Sequence, residues 1–321
     1  MAQHEPLQGI FVPLVTPFTA AGDIAVDALE SLAHRVLDEG ATGLVALGTT
    51  GEPATLDAEE KRTVRAVCAE VCRTRNAPLI LGAGDNNTRA TIAALEALRG
   101  HPEITAALVP VPYYTRPSEA GIRAHFTQLA ATSPVPVIIY HIPYRTARSV
   151  SADTLRELGR LPGIAAVKYA TGGIDADTVD LLGDLPEDFA VLAGDDEFLF
   201  PLIALGATGG ILASAQLTTA PFVALISAWH NGNHALARAL GAVLAKMSAA
   251  AFNEPNPTVI KAVLHAQGRI PTPDVRLPLL PAGPTSVDPT MRYLAALSEM
   301  QTPDRRTRPT PNPLVTSSSE V

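Results

Sequence analysis

Eight short apolar segments recur along the chain, and each is followed by a stretch with helical periodicity. The segments are continuously apolar rather than alternating, which is typical of strands buried on both faces of a parallel sheet. They are residues 9–16, 42–47, 78–81, 106–111, 136–140, 164–168, 190–193 and 209–213. Eight such units within about 230 residues favour a closed (β/α)8 TIM barrel of the α/β class over an open doubly wound sheet.

The region after the eighth unit has a different organisation. Residues 234–250 are rich in Ala, Leu and Arg, and residues 257–267 begin with a proline suited to a helix start. We therefore place the barrel at residues 9–232 and a C-terminal helical region at residues 233–301. Residues 302–321 are dense in Pro, Thr, Ser and Arg, a composition that cannot build a core, and we predict a disordered tail there.

Composition excludes several classes of protein. The 321 residues are 47% hydrophobic and 17% charged, so a large core can be buried. A net charge of −8 argues against a nucleic-acid partner, which needs a basic surface. No apolar run reaches about 18 residues, so no membrane span is expected, and residues 1–5 lack the basic start and apolar core of a secretory leader.

Neither a metal nor a cofactor is indicated. Cys68 and Cys72 have no clustered histidine for a zinc site, and without a disulfide framework we expect buried thiols in a reducing cytoplasm. The pair Asp195 and Asp196 fits strand-end hydrogen bonding better than metal binding, since no histidine lies nearby in sequence. Residues 82–84 lack the third glycine of a dinucleotide fingerprint.

The polar residues that follow the predicted strands are the candidates for chemistry. In a barrel of this kind catalytic groups project from the carboxyl ends of the strands and from the loops beyond them. Polar side chains follow five of the strands, at residues 48–52, 112–118, 140–146, 168–172 and 194–196. We expect these five segments to meet at one mouth of the barrel.

Lys168 is the strongest of these candidates. It ends the apolar run 164–167, so its stem is expected to lie inside the barrel. Burial disfavours the charged form of an amine and lowers its pKa, and a neutral amine can attack a carbonyl to form a Schiff base. Position alone leaves two structural alternatives open, which are pairing with a neighbouring carboxylate and extension of the amine to the rim.

Other strand-end residues suit a small acidic substrate. Tyr140 ends the strand before Lys168 and could move protons, although a core aromatic with a satisfied hydroxyl is the alternative. Thr49 and Thr50 lie on a glycine-bounded turn that offers hydroxyl and backbone N–H groups to a carboxylate. Arg145 could bind a carboxylate in bidentate fashion or form a salt bridge at the rim.

Taken together, these segments resemble the dihydrodipicolinate synthase / N-acetylneuraminate lyase family, which are class I aldolases on a (β/α)8 barrel. The resemblance runs in order from about residue 9 to residue 281. Its landmarks are residues 48–52, 112–117, 140–146, 167–172, 194–196 and 254–257.

The resemblance implies a role for each site residue. Lys168 would form the Schiff base with pyruvate, and Tyr140 would relay protons through Thr49 to Tyr114. The family's counterpart of Tyr114 comes from a neighbouring subunit, which implies a homodimer or homotetramer. Thr50 would hold the pyruvate carboxylate, and the remaining substrate-binding positions would be Ile211 and Gly194.

Within the family, Arg145, the Thr49–Thr50 doublet and residues 276–278 are similar to the synthase branch. That similarity implies condensation of pyruvate with an aldehyde acceptor, L-aspartate 4-semialdehyde, to give 4-hydroxy-tetrahydrodipicolinate in lysine and diaminopimelate synthesis. Three residues depart from the synthase pattern and are expected to flank the acceptor pocket: His141, Tyr144 and Tyr169. Two alternatives therefore stay open, namely a pyruvate-dependent aldolase or dehydratase acting on a 2-oxo sugar acid, and a barrel that binds without turnover.

Feedback inhibition by lysine is expected to be weak or absent. Ala58 and Ala90 stand where lysine-sensitive relatives carry His and Glu. Without polar partners, the ammonium and carboxylate of bound lysine would lack compensation for their desolvation.

Overall fold

The computed structural model describes residues 7–301. Eight parallel strands in this range form a closed barrel in the order β1 to β8, with β8 pairing to β1. The strands are β1 (Gly9–Pro13), β2 (Gly43–Ala46), β3 (Leu79–Gly82), β4 (Ile104–Pro110), β5 (Val137–His141), β6 (Ile164–Tyr169), β7 (Ala190–Ala193) and β8 (Gly209–Ile211). The (β/α)8 barrel expected from the sequence is confirmed.

Helices alternate with the strands and continue after β8. Within the described range they are α1 (Val26–Asp38), α2 (Ala58–Arg75), α3 (Thr88–Glu96), α4 (Glu119–Thr132), α5 (Pro143–Thr146), α6 (Ala152–Gly159), α7 (Ala176–Gly183), α8 (Leu199–Leu205), α9 (Thr219–His230), α10 (His234–Ala251), α11 (Thr258–Ala266) and α12 (Val287–Gln301). Side-chain capping fixes where several of these helices begin. At α2, for example, Asp57 accepts from the Glu60 backbone N–H while the Glu60 carboxylate accepts from the Asp57 N–H.

Apolar cores lie on both sides of the barrel wall, one inside the barrel and one outside it. Alternate residues of each strand point inwards or outwards, and so contribute to one core or the other. The inner core is small, and the outer core, between the strands and the helices, is large. The inner core consists of Phe11, Val45, Ile80, Ala106, Leu108, Ile138, Tyr140, Ile142, Ala166, Ala170, Ala190, Leu192 and Ile211. Its filling by side chains makes the barrel a packed body with a reactive surface only at its mouth.

The C-terminal helices extend the outer core. Helix α10 packs against α9 and α12, and Leu240, Leu244 and Val263 are buried in the same cluster as the barrel helices. The predicted boundary between residues 232 and 233 stays a prediction. The predicted tail at 302–321 and the segment at 1–5, where a secretory leader was not expected, lie outside the described residues. Among the described residues, no helix is long and apolar enough to cross a membrane.

The two cysteines lie on α2. Both are free and buried, as expected from the sequence, and burial raises the pKa of the Cys72 thiol to about 12. Neither side chain is directed at the barrel mouth, since both belong to the outer core.

Candidate active site

Lys168 lies on β6 in register with Tyr140 on β5. Its side chain is buried, with 6% of its surface exposed, and its Nζ lies 4.3 Å from the centroid of the Tyr140 ring. Burial lowers the pKa of the Lys168 amine to about 8, against an opposing effect of the nearby Asp196 and Asp195 carboxylates. A substantial fraction of the amine is therefore neutral near physiological pH, as a Schiff-base nucleophile requires.

Gly194 makes room for the Lys168 stem. A Cβ atom added at this position would lie 2.9 Å from Lys168 Cγ and 2.9 Å from the Ala170 Cβ. Both distances are well below the carbon–carbon contact of about 3.5–4.0 Å. The glycine after β7 is thus required by the path of the lysine side chain.

Tyr140 is buried near the carboxyl end of β5. Burial raises the pKa of its phenol well above the ordinary value, while Arg145 and a hydrogen-bonding contact with the Thr49 side chain oppose the shift. The phenol is therefore protonated at neutral pH, so it can donate a proton before it accepts one.

The turn after β2 presents Thr49 and Thr50 at the same mouth. Residues Thr49–Gly51 form a 3₁₀ turn, and Thr50 is 2% exposed. Asn256 Nδ2 donates to Thr50 Oγ1 at 3.0 Å, so the Thr50 hydroxyl hydrogen is left to donate elsewhere. Thr16 Oγ1 donates to the Gly51 carbonyl at 2.8 Å and fixes the end of the turn.

A buried ion pair anchors this turn to the C-terminal region. Lys261 Nζ on α11 lies 2.7 Å from Glu52 Oε1, and the two side chains are 0% and 2% exposed. The second oxygen of Glu52 accepts from the Arg276 backbone N–H at 3.0 Å, and Lys261 Nζ also lies 4.0 Å from the Phe18 ring centroid. The sequence placed Glu52 among the landmarks of the site but gave no indication of its partner.

The Asp195–Asp196 pair is held by hydrogen bonds at the end of β7, as expected from the sequence. Asp195 Oδ2 accepts from the Gly172 backbone N–H at 2.7 Å. Asp196 Oδ2 accepts from both the backbone N–H and the hydroxyl of Ser214, each at 2.6 Å. Burial raises the pKa of Asp196 to about 6 against these hydrogen bonds. No group of three or more His, Cys, Asp or Glu side chains in residues 7–301 is arranged to hold a metal ion.

A cavity of about 490 Å³ opens beside these groups, between the mouth and α10. Its walls come from the segments after β5, β6 and β7 and from α10 with the residues that follow it. The residues that line it are Tyr144, Arg145, Gly172, Asp195, Asp196, Glu197, Ser248, Ala249, Phe252, Asn253, Glu254, Pro255 and Asn256. The Arg145 guanidinium carbon lies 5.2 Å from the centroid of the Tyr144 ring, so this tyrosine lies against the only arginine that residues 7–301 place on the wall.

Tyr114 does not reach the mouth of its own barrel. Its side chain is 88% exposed, and its backbone adopts a left-handed conformation with φ +65°. Positive φ is unusual for a bulky side chain and costs free energy. Of the candidate catalytic residues, Lys168, Tyr140 and Thr49 are therefore brought together within one chain, and Tyr114 is presented outwards.

The assignment of Ile211 to the pyruvate site stays a prediction, whereas two of the residues that depart from the synthase pattern do not lie where the sequence placed them. Ile211 is fully buried in the inner core with Tyr140. The expectation that His141 and Tyr169 flank the acceptor pocket is wrong, because each follows an inward-facing residue and so points outwards. Their rings lie 5.5 Å apart, and the Tyr169 hydroxyl lies 3.2 Å from Thr178 Oγ1 on α7.

His141 is accordingly a neutral packing residue. It is 2% exposed, and burial lowers the pKa of its imidazole to about 4. Only Tyr144, of the three departures, lies on the cavity wall.

The chain matches known proteins over nearly all of its length. The model of the Dihydrodipicolinate synthetase family matches residues 6–296. A 4-hydroxy-tetrahydrodipicolinate synthase of Neisseria meningitidis serogroup B is 39% identical over 277 residues, which are 86% of this chain and 93% of that protein. 4-hydroxy-tetrahydrodipicolinate synthase 2 of Clostridium acetobutylicum is 34% identical over 275 residues, which are 86% of this chain and 95% of that protein.

A solved structure agrees with the sequence matches. The chloride-inhibited dihydrodipicolinate synthase of Acinetobacter baumannii, solved in complex with pyruvate, superposes with a TM-score of 0.85 at 33% identity. The superposition covers 91% of this chain and 99% of that chain.

Proposed function

This chain belongs to the dihydrodipicolinate synthetase family, and on that premise we propose that it condenses pyruvate with L-aspartate 4-semialdehyde. The product is 4-hydroxy-tetrahydrodipicolinate, a precursor in lysine and diaminopimelate synthesis. The observation that carries the proposal is the amine of Lys168, which is buried at the barrel mouth with a pKa of about 8.

The lowered pKa supports Lys168 as the nucleophile. At pH 7 about a tenth of an amine with a pKa near 8 is neutral, against about one part in 3,000 for an ordinary lysine. The neutral amine adds to the ketone carbon of pyruvate, water leaves, and the resulting iminium withdraws electrons from the neighbouring methyl group. Loss of a methyl proton then gives an enamine, whose carbon attacks the aldehyde of the acceptor.

Tyr140 and the Thr49–Thr50 turn serve this sequence of steps. The protonated phenol of Tyr140, beside Lys168 Nζ, donates to the departing water and later takes part in proton transfer at the new hydroxyl. The Thr50 hydroxyl, which accepts from Asn256, donates to the pyruvate carboxylate. Ile211 and Gly194 shape the pyruvate site, Gly194 by admitting the lysine stem.

The acceptor enters through the cavity beside the mouth. Arg145 lies on its wall and binds the carboxylate of the semialdehyde, with the Tyr144 ring against the guanidinium. Closure of the product ring by attack of the acceptor's own amine on the iminium carbon releases Lys168. One water is formed in total, at the formation of the Schiff base.

A homodimer completes the proton relay. The exposure of Tyr114 and its strained backbone support a role in the site of a neighbouring subunit. Co-expression of Lys168→Ala with Tyr114→Phe tests this, since each variant alone is inactive in its own homodimer. A statistical mixture of dimers should regain about a quarter of the wild-type sites. No regain of activity would show that Tyr114 acts within its own chain, and an active Tyr114→Phe homodimer would show that Tyr114 does not act in the relay.

The proposed reaction is tested in two stages. Treatment with pyruvate and borohydride should add one reduced pyruvate to the Lys168 peptide, and Lys168→Ala should show no adduct while keeping the circular dichroism of the wild type. Turnover of the semialdehyde by the pyruvate-loaded enzyme is then compared with turnover of a 2-keto-3-deoxy sugar acid. An adduct without turnover of the semialdehyde would show that the enzyme uses a different acceptor. Absence of any adduct would refute the Schiff-base mechanism.

A cytoplasmic location accords with this function. The two cysteines are free and buried, and the proposed substrates are intermediates of amino-acid metabolism. Fractionation of the source cells, with the protein detected by antibody, tests the location.

A further inference from the structure

The cavity beside the mouth carries opposite charges on different walls. The segment after β5 contributes the Arg145 guanidinium, and the segment after β7 contributes the carboxylates of Asp195, Asp196 and Glu197. An anionic ligand alone would be attracted by the first wall and repelled by the second. The lining therefore suits a ligand that carries both charges.

Two oxygen atoms of residues that line the cavity have no hydrogen-bond partner among the described residues. Asp196 Oδ1 and Asn256 Oδ1 are buried, and neither forms a hydrogen bond with any residue of the described range. Asp196 as a whole is only 4% exposed, and its other oxygen is fully occupied by Ser214. A buried acceptor without a donor is destabilising unless a ligand supplies the donor.

The missing partner must be a hydrogen-bond donor. A carboxylate oxygen only accepts, so Asp196 Oδ1 calls for an N–H or O–H group. Asp196 is ionised at pH 7, since its pKa is about 6, and an ionised oxygen prefers a cationic donor. An ammonium group meets both requirements.

We propose that Asp196, together with Asn256 of the same cavity lining, binds the α-ammonium group of the acceptor while Arg145 binds its α-carboxylate. The site then selects α-amino-acid aldehydes over their deaminated analogues. This inference rests on the proposed function and extends it, because it assigns a residue to the half of the acceptor that Arg145 does not contact. Asp196 is thereby a specificity-determining residue, distinct from the group that forms the Schiff base.

The inference is tested with two unreactive acceptor analogues that differ only in the ammonium group. L-Homoserine carries it and 4-hydroxybutanoate lacks it, and both are measured as competitive inhibitors against the semialdehyde at saturating pyruvate. In the wild type L-homoserine should bind at least about tenfold more tightly, as expected for a buried hydrogen bond between charged groups. Asp196→Asn should reduce the ratio of the two inhibition constants below about threefold, because an amide can present an N–H group where the carboxylate oxygen stood.

Glu197→Gln is the matched control. It removes one negative charge from the same cavity wall, but Glu197 is an exposed residue. The ratio of inhibition constants should stay at the wild-type value in this variant. An equal fall in both variants would mean that general electrostatic attraction, and not Asp196, recognises the ammonium group.

The remaining outcomes are also decisive. A wild-type ratio near one would overturn the inference without any variant, and so would an unchanged ratio in Asp196→Asn together with a raised KM for pyruvate, which would make Asp196 a counter-charge for Lys168. Should Asp196→Asn fail to fold, D-homoserine is measured on the wild type, where its displaced ammonium should make it about tenfold weaker than the L form. Failure of the proposed function is recognised separately, since the wild type would then not turn over the semialdehyde at all.

Discussion

Replacement of Gly194 by alanine should displace the reactive lysine, because the added methyl group would collide with its side chain. The added Cβ would lie 2.9 Å from Lys168 Cγ and from Ala170 Cβ, and 3.1 Å from the Tyr169 carbonyl oxygen. Each carbon contact is short of the ordinary separation by about 0.6–1 Å. Neither neighbour can move away freely, because Ala170 Cβ is fixed by the backbone and the Lys168 side chain is buried.

Two effects of Gly194→Ala follow from this geometry. Overpacking of this size should lower the free energy of unfolding by about 1–3 kcal/mol. Displacement of the lysine stem by about 1 Å should slow formation of the pyruvate adduct by about 10²-fold. Urea denaturation measures the first effect, and borohydride trapping at timed intervals under single-turnover conditions measures the second.

Gly173→Ala is the control for Gly194→Ala. Gly173 also lies at the mouth, but an added Cβ meets no atom within 4 Å there. The equilibrium constant for unfolding and the rate of adduct formation of this variant should each stay within about twofold of the wild-type values. If Gly194→Ala likewise formed the adduct within twofold of the wild-type rate, the account of Gly194 as space for the lysine stem would be refuted.

Four further predictions follow. The rate of adduct formation should rise about tenfold per pH unit below pH 8 and level off above it, because the amine loses its proton with a pKa near 8; a profile still rising at pH 10 would contradict the lowered pKa. Tyr140→Phe should retain the borohydride adduct but lose turnover by about 10²-fold, and unchanged turnover in steady-state kinetics would exclude Tyr140 as a proton donor. Lys261→Met should lower the free energy of unfolding by about 3–5 kcal/mol in urea titrations, since it leaves the Glu52 carboxylate buried without its partner, whereas the exposed Lys246→Met should change it by less than about 0.5 kcal/mol. L-Lysine should inhibit weakly or not at all, because Ala58 and Ala90 offer no polar side chain, and a sub-millimolar inhibition constant in steady-state assays would contradict this.

The strands and the reactive lysine could be predicted because their signals are local. Residues 164–168 are continuously apolar up to Lys168, and this run became β6 with the amine buried at its end. Every predicted strand is present, with ends that differ by at most a few residues, since an apolar run records burial while hydrogen bonding decides where a strand stops. Tyr140 was placed beside Lys168 by strand order alone, and the register of β5 and β6 pairs them.

Orientation and distant partners could not be read in the same way. Tyr169 directly follows Lys168, yet the alternation of a strand sends it to the opposite face, where it contacts Thr178. The link between Glu52 and Lys261 joins residues from opposite halves of the chain, and no local pattern records such a pairing. The sequence predicts hydrogen bonding for Asp196, but only the positions of Ser214 and the cavity show that one of its two carboxylate oxygens has no partner within residues 7–301.

The anchoring of the Thr49–Thr50 turn bears on how the protein matures during translation. The partners of Thr50 and Glu52 lie 206 and 209 positions further along the chain. A ribosome that adds about 5–20 residues per second needs about 10–40 seconds to reach them. Throughout that interval the turn of the nascent chain lacks both of these contacts, so we expect the polypeptide to acquire catalytic competence only after α11 has left the exit tunnel.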